Sequence, residues 1–455
     1  MQVTLRDFSA IWAVPMVLVA TVGWAGLGCV RGSGAPADVV LITLDTMRAD
    51  YLGAYGHEGG LTPHLDALAR EGVLYTRAWS TSPWTLPAPA SMFTGKYPTR
   101  HGADYASQRG VGARLNEVIP WVDSRFRANR LADDEVVMAE WLAAAGYVTG
   151  AFVGGPWMAP AFGLLQGYQS HDAKMPGLAG RTGDEITDRA IEWLRTVPRD
   201  RPLHLFVNYF DPHAPYTPPP AFSPKPKVDN SGKMRDPPLR DRYAGEIRYM
   251  DHQIGRLFDA LREVGRYEGA LIIAVSDHGE LFGEHALMLH GYWLYEELVR
   301  VALIVRLPHE RRAGDVVDAT VSIVDLLPIV ADEVGFRLPE GLDAMAIGER
   351  EVAFAEFRRN PAVDEVRGRR VDRDADVAIR WPWKLIANGD GTSELYRIDT
   401  DPGETQPVSD GSIEDSMRAT PASVRSTLVA PEPMPAGPVV PTDVSDRLRD
   451  LGYLE

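Results

Sequence analysis

Residues 37–50 read ADVVLITLDTMRAD, a nearly continuous apolar run that stops at Asp45. A short apolar run without polar alternation is typical of a parallel strand that is buried on both faces of a sheet. Helix and strand patterns then alternate, with helix-like segments at residues 61–72, 182–197 and 243–265 and strand-like segments at residues 203–210 and 269–276. This alternation predicts an α/β fold in which a mostly parallel sheet is sandwiched by helices.

The last quarter of the chain has a different pattern. Residues 376–404 contain two strand-like runs on either side of Asn-Gly-Asp-Gly, which is a strong hairpin signal. A Pro-rich linker at residues 428–443 then leads to a short terminal helix. We therefore predict a main α/β domain over residues 37–345 and a C-terminal subdomain over residues 346–455 that contains a small antiparallel sheet.

Composition limits the classes of partner. The chain has 455 residues, 45% of them hydrophobic, so it can bury a substantial core. Its formal net charge of −16 argues against nucleic acid as a partner, because phosphate backbones require clustered Lys and Arg. An anionic substrate would need a bound metal ion or a local basic pocket.

The N-terminus has the features of an export segment. Arg6 precedes an uncharged, mostly apolar run over residues 8–28 that ends in small residues, as in a secretory signal, and its length also permits a spanning helix. Cys29, the single cysteine, follows this run and resembles the lipid-attachment site of bacterial lipoproteins, although Gly26 stands where such signals usually carry Leu. We predict that residues 1–36 are a signal peptide or a lipoprotein or membrane anchor, and that the protein is exported, periplasmic or at the cell surface, with membrane association through the N-terminus.

Polar residues follow three of the predicted strands. Asp45 ends the first strand, Asp211 and His213 follow another, and Asp277 and His278 follow a third. Ligands of open α/β sheets gather at the carboxyl ends of strands, so these side chains are expected to share a rim. Two carboxylates and an imidazole suit one divalent cation such as zinc, manganese or calcium.

Thr85 stands where a helix is expected to start, in the stretch STSPWTLPAPASMFTGKYPTRHG at residues 80–102. Thr is a preferred N-cap, and Pro87 fits the first turn of a helix. A threonine at a helix N-terminus can also act as a nucleophile, since this end of a helix stabilises anions. Both roles are open from this stretch alone.

Six segments in order resemble the sulfatase family of the alkaline phosphatase superfamily. They are LITLDTMRADYLGAYG, TPHLDALAREGVLYTRAW, TLPAPASMFTGKYPTRHG, YFDPHAPYTPP, SDHGELFGEHALMLHGYWLYEELVRVALIVR and WKLIANGDGTSELYRIDTDPGE. The resemblance implies that Thr85 is the nucleophile and that Asp45, Asp277 and His278, with the Thr85 oxygen, bind the metal. It also implies that His213 binds the transferred anion and that His290 contacts the leaving-group oxygen, with His285 a further candidate for this pocket.

The chain departs from the family pattern at two points. Most sulfatases carry Cys or Ser at the nucleophile, followed by Pro and Arg, and convert it to formylglycine; here Thr85 is followed by Pro87 and then Pro89, so no formylglycine is expected. Thr46 replaces the family's second Asp, so one ligand is expected to be lost or weakened. The resemblance implies a metal-dependent hydrolase of anionic sulfuric or phosphoric esters. The alternatives are a phosphoryl-group transferase like the phosphoethanolamine transferases and a catalytically inactive sulfatase-like binding protein.

Overall fold

An eight-stranded sheet runs through the main domain. The structure is a computed structural model that describes residues 36–105, 113–114, 127–174, 180–228, 234–359 and 373–418. The strands are β1 Asp38–Leu44, β2 Val73–Tyr75, β3 Val148–Val153, β4 Ser170–Asp172, β5 Leu203–Tyr209, β6 Ala270–Ser276, β7 Leu303–Arg306 and β8 Asp315–Val317. Their order across the sheet is β8-β2-β7-β6-β1-β5-β3-β4.

The central strands are parallel and end at the same level. β1 lies between β6 and β5, and Leu44 is in register with Ser276 on one side and Tyr209 on the other. β7 is the exception, because it pairs antiparallel with both β6 and β2. The prediction of a mostly parallel sheet is thus confirmed, and its register brings the residues after β1, β5 and β6 to one rim.

Helices cover both faces of the sheet. Val39 and Leu41 of β1 join one hydrophobic cluster, whereas Val40 and Ile42 join the other, as expected for a strand buried on both sides. The helices are α1 Pro63–Glu71, α2 Pro87–Thr94, α3 Pro98–His101, α4 Met138–Ala144, α5 Gly183–Leu194, α6 Leu239–Glu263, α7 Glu296–Val299 and α8 Leu326–Val334. The first cluster includes residues of α2, α4 and α8, and the second includes residues of α1, α5 and α6.

Several two-residue and three-residue strands form small additional sheets. Ala78–Trp79 pairs with Arg300–Val301 and Val321–Ser322, and Arg127–Asn129 pairs with Asp104–Tyr105 and Ala113–Arg114. Lys227–Val228 pairs with Met234–Arg235, and Leu281–Phe282 pairs with Met288–Leu289. The last of these pairs follows β6 directly and carries part of the candidate site.

The C-terminal sheet is antiparallel, as predicted. Its strands are β9 Ala353–Phe357, β10 Ala375–Arg380, β11 Trp383–Asn388 and β12 Ser393–Arg397, paired in that order. The Asn-Gly-Asp-Gly turn joins β11 to β12, and residues 411–418 are helical. The predicted linker and terminal helix lie outside the described residues.

Within the described part of the chain, we find no helix that is both long and apolar enough to cross a membrane. The predicted export segment at residues 1–36 precedes nearly all of that part, and Cys29 lies outside it.

Candidate active site

Two adjacent strand ends place three potential metal ligands together. Asp45 follows β1, and Asp277 and His278 follow β6, so the parallel register of these strands brings the side chains to one point of the rim. One ligand atom from each residue lies within 4.8 Å of the others, and all three side chains are fully buried. The predicted cluster of Asp45, Asp277 and His278 therefore exists in the folded chain.

Each of the two carboxylates in this cluster accepts hydrogen bonds at Oδ1 only, so its other oxygen is left without compensation from the described residues. Asp45 Oδ2 and Asp277 Oδ2 are buried and find no hydrogen-bond partner among the described residues. Burial, together with the neighbouring charges of Asp277 and Glu280, raises the pKa of Asp45 well above its usual range. Uncompensated buried carboxylates are costly, so this donor set fits a divalent cation.

Thr85 completes the cluster. Helix α2 begins at Pro87 with Leu86 as the N-cap residue, so Thr85 lies one position too early to cap the helix with its side chain. Its hydroxyl oxygen instead lies 3.1 Å from His278 Nε2 and 3.4 Å from Asp45 Oδ1, and the residue is buried. The hydroxyl thus faces the potential metal ligands and does not cap the helix.

His213 and His290 border the same cluster. The ring centroid of His290 lies 4.6 Å from that of His278 and 4.8 Å from that of His213. His213 also stacks on Phe210 at 4.2 Å. Burial, with a smaller contribution from His290, lowers the pKa of His213 to about 3, so this ring is neutral near pH 7. Both predicted histidines are thus near the cluster.

Two further candidates, Asp211 from the predicted rim and His285 from the pocket that the resemblance implies, lie apart from this cluster. His285 stacks on Tyr295 with ring centroids 3.5 Å apart, and its Nε2 lies 3.5 Å from Glu297 Oε2. The carboxylate of Asp211 accepts a hydrogen bond from the backbone N–H of Gly183 at the start of α5, and burial raises its pKa to about 7. Neither residue belongs to the group of potential ligands around Asp45 and Asp277.

Thr46 supports the cluster through its backbone and hydroxyl. The residue has a left-handed backbone with φ 54°, and its N–H donates to Asp277 Oδ1 at 3.2 Å. Its hydroxyl donates to the carbonyl oxygen of Pro212, also at 3.2 Å. Thr46 therefore orients Asp277 and holds the segment that follows β5, at the position where a second carboxylate was expected from the family.

Asn208 is a supporting residue that the sequence analysis missed. Its side chain donates to Thr43 Oγ1 at 3.0 Å and accepts from the backbone N–H of Gly155 at 2.9 Å. A Cβ atom on Gly155 would lie 3.2 Å from both Asp45 Oδ2 and Asn208 Oδ1, so the glycine permits this close approach. A polar residue in a mostly apolar, fully buried strand was the available signal.

Glu280 and Tyr216 form a second group that the sequence analysis missed. Glu280 is fully buried, and its Oε1 lies 3.1 Å from His290 Nδ1. Its Oε2 accepts a hydrogen bond from the Tyr216 hydroxyl at 2.8 Å. This group links His290 to the segment that carries His213.

Comparisons with known proteins agree with this architecture. The Sulfatase family model matches residues 37–336. The sulfatase YidJ of Escherichia coli (strain K12) is 26% identical over 435 residues, covering 80% of this chain and 81% of that protein. An arylsulfatase of Clostridium perfringens is 23% identical over 449 residues, covering 81% of this chain and 89% of that protein.

A solved structure gives the same fold. The phosphonate monoester hydrolase of Agrobacterium radiobacter superposes with a TM-score of 0.66 at 22% identity, covering 87% of this chain and 96% of that one. Since the family model spans well over half of the chain, the protein belongs to the sulfatase family of the alkaline phosphatase superfamily and is a sulfatase-like ester hydrolase.

Proposed function

We propose that the protein is an exported, metal-dependent hydrolase that cleaves sulfuric or phosphoric esters through a covalent ester on Thr85. The observation that carries the proposal is the position of the Thr85 hydroxyl, 3.1 Å from His278 Nε2 and 3.4 Å from Asp45 Oδ1. A hydroxyl beside a divalent-cation site at the start of a helix is suited to attack an anionic ester.

Asp45, Asp277 and His278 would hold the metal ion. When bound, a divalent cation lowers the pKa of a neighbouring hydroxyl and polarises an ester oxygen. The donor set favours zinc or manganese over calcium, because calcium takes six to eight oxygen ligands whereas here one of the three donors is an imidazole nitrogen. A non-catalytic binding protein would have no need for this buried, acidic group.

The remaining side chains have separate roles in the proposal. Thr85 attacks the phosphorus or sulfur atom, His213 contacts the anionic group, and His290 supplies a proton to the leaving oxygen. Water must then attack the Thr85 ester, since threonine lacks the hydrate chemistry by which formylglycine expels sulfate. This second step is easier at phosphorus than at sulfur, and the fold is shared with a phosphonate monoester hydrolase.

Location forms the second part of the proposal. The apolar run at residues 8–28 and the lone Cys29 support export with retention at a membrane through the N-terminus. Retention beside a membrane also suits the transferase alternative, in which the group on Thr85 passes to an acceptor alcohol rather than to water.

A matched substrate panel tests the reaction. The purified protein, dialysed against a chelator and reloaded with zinc, manganese or calcium, is assayed with 4-nitrophenyl sulfate, phosphate, phenylphosphonate and a phosphodiester. We expect metal-dependent release of nitrophenol with at least one ester, with zinc or manganese more effective than calcium. Absence of turnover with every ester and metal would contradict the proposal. Transfer of the phosphoryl or sulfuryl group to an added alcohol instead of to water would identify a transferase.

A further inference from the structure

The local path of the chain places the buried carboxylate of Glu280 beside His290. Leu281–Phe282 pairs antiparallel with Met288–Leu289, and Leu281 is in register with Leu289. Glu280 precedes this pair and His290 follows it, so the two residues are cross-strand neighbours at its open end. The geometry that brings them together is therefore built into a local hairpin.

The segment around His290 is held in a defined conformation. Leu289 and Gly291 on either side of it both have positive φ, at 69° and 83°. The N–H of Gly291 donates to the carbonyl oxygen of Pro83 at 2.9 Å, which ties this segment to the chain just before Thr85. A non-glycine residue in the left-handed region persists only where surrounding contacts impose it.

The two oxygens of the Glu280 carboxylate contact different side chains. Oε1 lies 3.1 Å from His290 Nδ1, and Oε2 accepts from the Tyr216 hydroxyl at 2.8 Å. An ionised carboxylate only accepts hydrogen bonds, so its contact through Oε1 places a ring proton on Nδ1. A carboxylate in this place fixes both the tautomer and the orientation of an imidazole.

We propose that Glu280 is the positioning residue for His290, accepting its Nδ1–H and assigning Nε2 as the atom that exchanges a proton with the substrate. The inference rests on the proposed function, in which His290 assists the leaving group. In the first step, His290 starts with a proton on each ring nitrogen, and Thr85 has lost its hydroxyl proton to solvent. The bond to the leaving oxygen breaks as that oxygen receives the Nε2 proton and the Thr85 oxygen bonds to the transferred atom, which leaves a neutral ring with its proton on Nδ1. In the second step, water gives a proton to Nε2 as its oxygen bonds to that atom, and the Thr85 oxygen leaves and takes up a proton from solvent.

The test compares leaving groups, because a poor leaving group needs a proton and a good one does not. Glu280→Gln is assayed as the full, metal-loaded protein on a phenyl ester and a 4-nitrophenyl ester of whichever acid the wild type hydrolyses. We expect kcat for the phenyl ester to fall about 100-fold, within the range for loss of general acid catalysis, and kcat for the nitrophenyl ester to fall less than about threefold. His290→Asn should show the same pattern, and the double variant should lose little more than either single variant.

Glu246→Gln is the matched control. Glu246 is also buried, and it accepts from the N–H of Thr217, next to Tyr216, but it does not contact His290. This variant should change kcat for the two esters by the same factor, or leave both values unchanged. If Glu280→Gln fails to fold, Tyr216→Phe removes the partner of the other carboxylate oxygen and should give a smaller loss that is again confined to the phenyl ester.

Three results would overturn the inference. An equal loss of kcat on both esters in Glu280→Gln, with normal metal content, would mean that Glu280 only supports the local structure and does not position His290 for proton transfer. Additive losses in the double variant would mean that Glu280 and His290 act independently. A wild type that hydrolyses neither ester would overturn the proposed function itself, which separates that failure from the first two.

Discussion

Replacing Thr85 by Val removes its hydroxyl with little change in side-chain shape. The hydroxyl makes one contact of 3.1 Å with His278 Nε2 and a longer contact of 3.4 Å with Asp45 Oδ1. Loss of such a bond costs about 1 kcal/mol of stability, against a typical total of about 5–15 kcal/mol. The variant should therefore fold and still bind the metal ion.

The same change should abolish turnover. Loss of an essential nucleophile costs about 10⁴-fold to 10⁶-fold in kcat, which corresponds to about 5–8 kcal/mol of transition-state stabilisation. This is several times the expected loss of stability, so the two effects can be separated. Thr85→Ser retains a hydroxyl and should keep measurable activity.

Thr94→Val, at the last residue of helix α2, provides the matched control. Thr94 is also buried, and its hydroxyl donates to the carbonyl oxygen of Ala90 at 2.7 Å. Its replacement should cost about the same stability as Thr85→Val, about 1 kcal/mol, and leave kcat within about threefold. Urea unfolding and initial rates measured on both variants give the comparison.

Mass spectrometry provides the direct assay. Wild-type protein quenched during turnover should carry the phosphoryl or sulfuryl group on the peptide that contains unmodified Thr85. If Thr85→Val keeps wild-type rates on an ester that Asp277→Ala cannot process, water attacks the substrate directly and the covalent mechanism is wrong.

Three further predictions concern the metal, the location and the pH dependence of stability. Asp277→Ala removes one of two buried carboxylate ligands and should abolish metal binding while the fold survives; equal metal content in variant and wild type by elemental analysis would refute the assignment. Full-length protein should fractionate with membranes, and Cys29→Ser should release it into the soluble exported fraction if the anchor is a lipid; recovery of wild-type chain in the cytosol with Met1 intact would exclude export. Burial lowers the pKa of His204 to about 4 in the folded protein. The unfolded chain binds a proton on this histidine below about pH 6.5, whereas the folded protein does not, so the free energy of unfolding falls as the pH drops from about 6.5 towards 4. Between pH 7 and 5.5 the contribution is about 1 kcal/mol in urea unfolding, and it should be absent in His204→Gln; an identical loss in that variant would contradict the assignment.

The elements with strong local patterns could be predicted from the sequence. The helix expected at residues 61–72 is Pro63–Glu71, and the strand expected at residues 203–210 is Leu203–Tyr209. Both patterns can be recognised within a single segment, because they reflect which residues of that segment are buried. The antiparallel direction of Leu303–Arg306 could not be predicted in this way, because it depends on how a long connection returns to the sheet.

Some residues of the candidate site could likewise be predicted from local sequence, and others could not. Asp45, Asp277 and His278 could be identified because each directly follows an apolar strand, and parallel strands end at one rim. The contact between Tyr216 and Glu280 joins residues that are 64 positions apart, and no local pattern marks either as a partner of the other. The stretch around Thr85 left a helix cap and a nucleophile open, because only the folded chain brings its hydroxyl to His278 and Asp45.

Thr46 is compatible with the proposed role of Thr85 as the nucleophile. A β-branched residue with φ 54° is strained, and such strain is typical of functional sites. Asp at this position would suit the backbone better but would add a third carboxylate beside Asp45 and Asp277, and like charges disfavour loss of a proton from a nearby hydroxyl. Threonine keeps the hydrogen bond from its N–H to Asp277 without that charge. Two ligand carboxylates instead of three therefore favour ionisation of the Thr85 hydroxyl, which the proposed role of Thr85 as nucleophile requires.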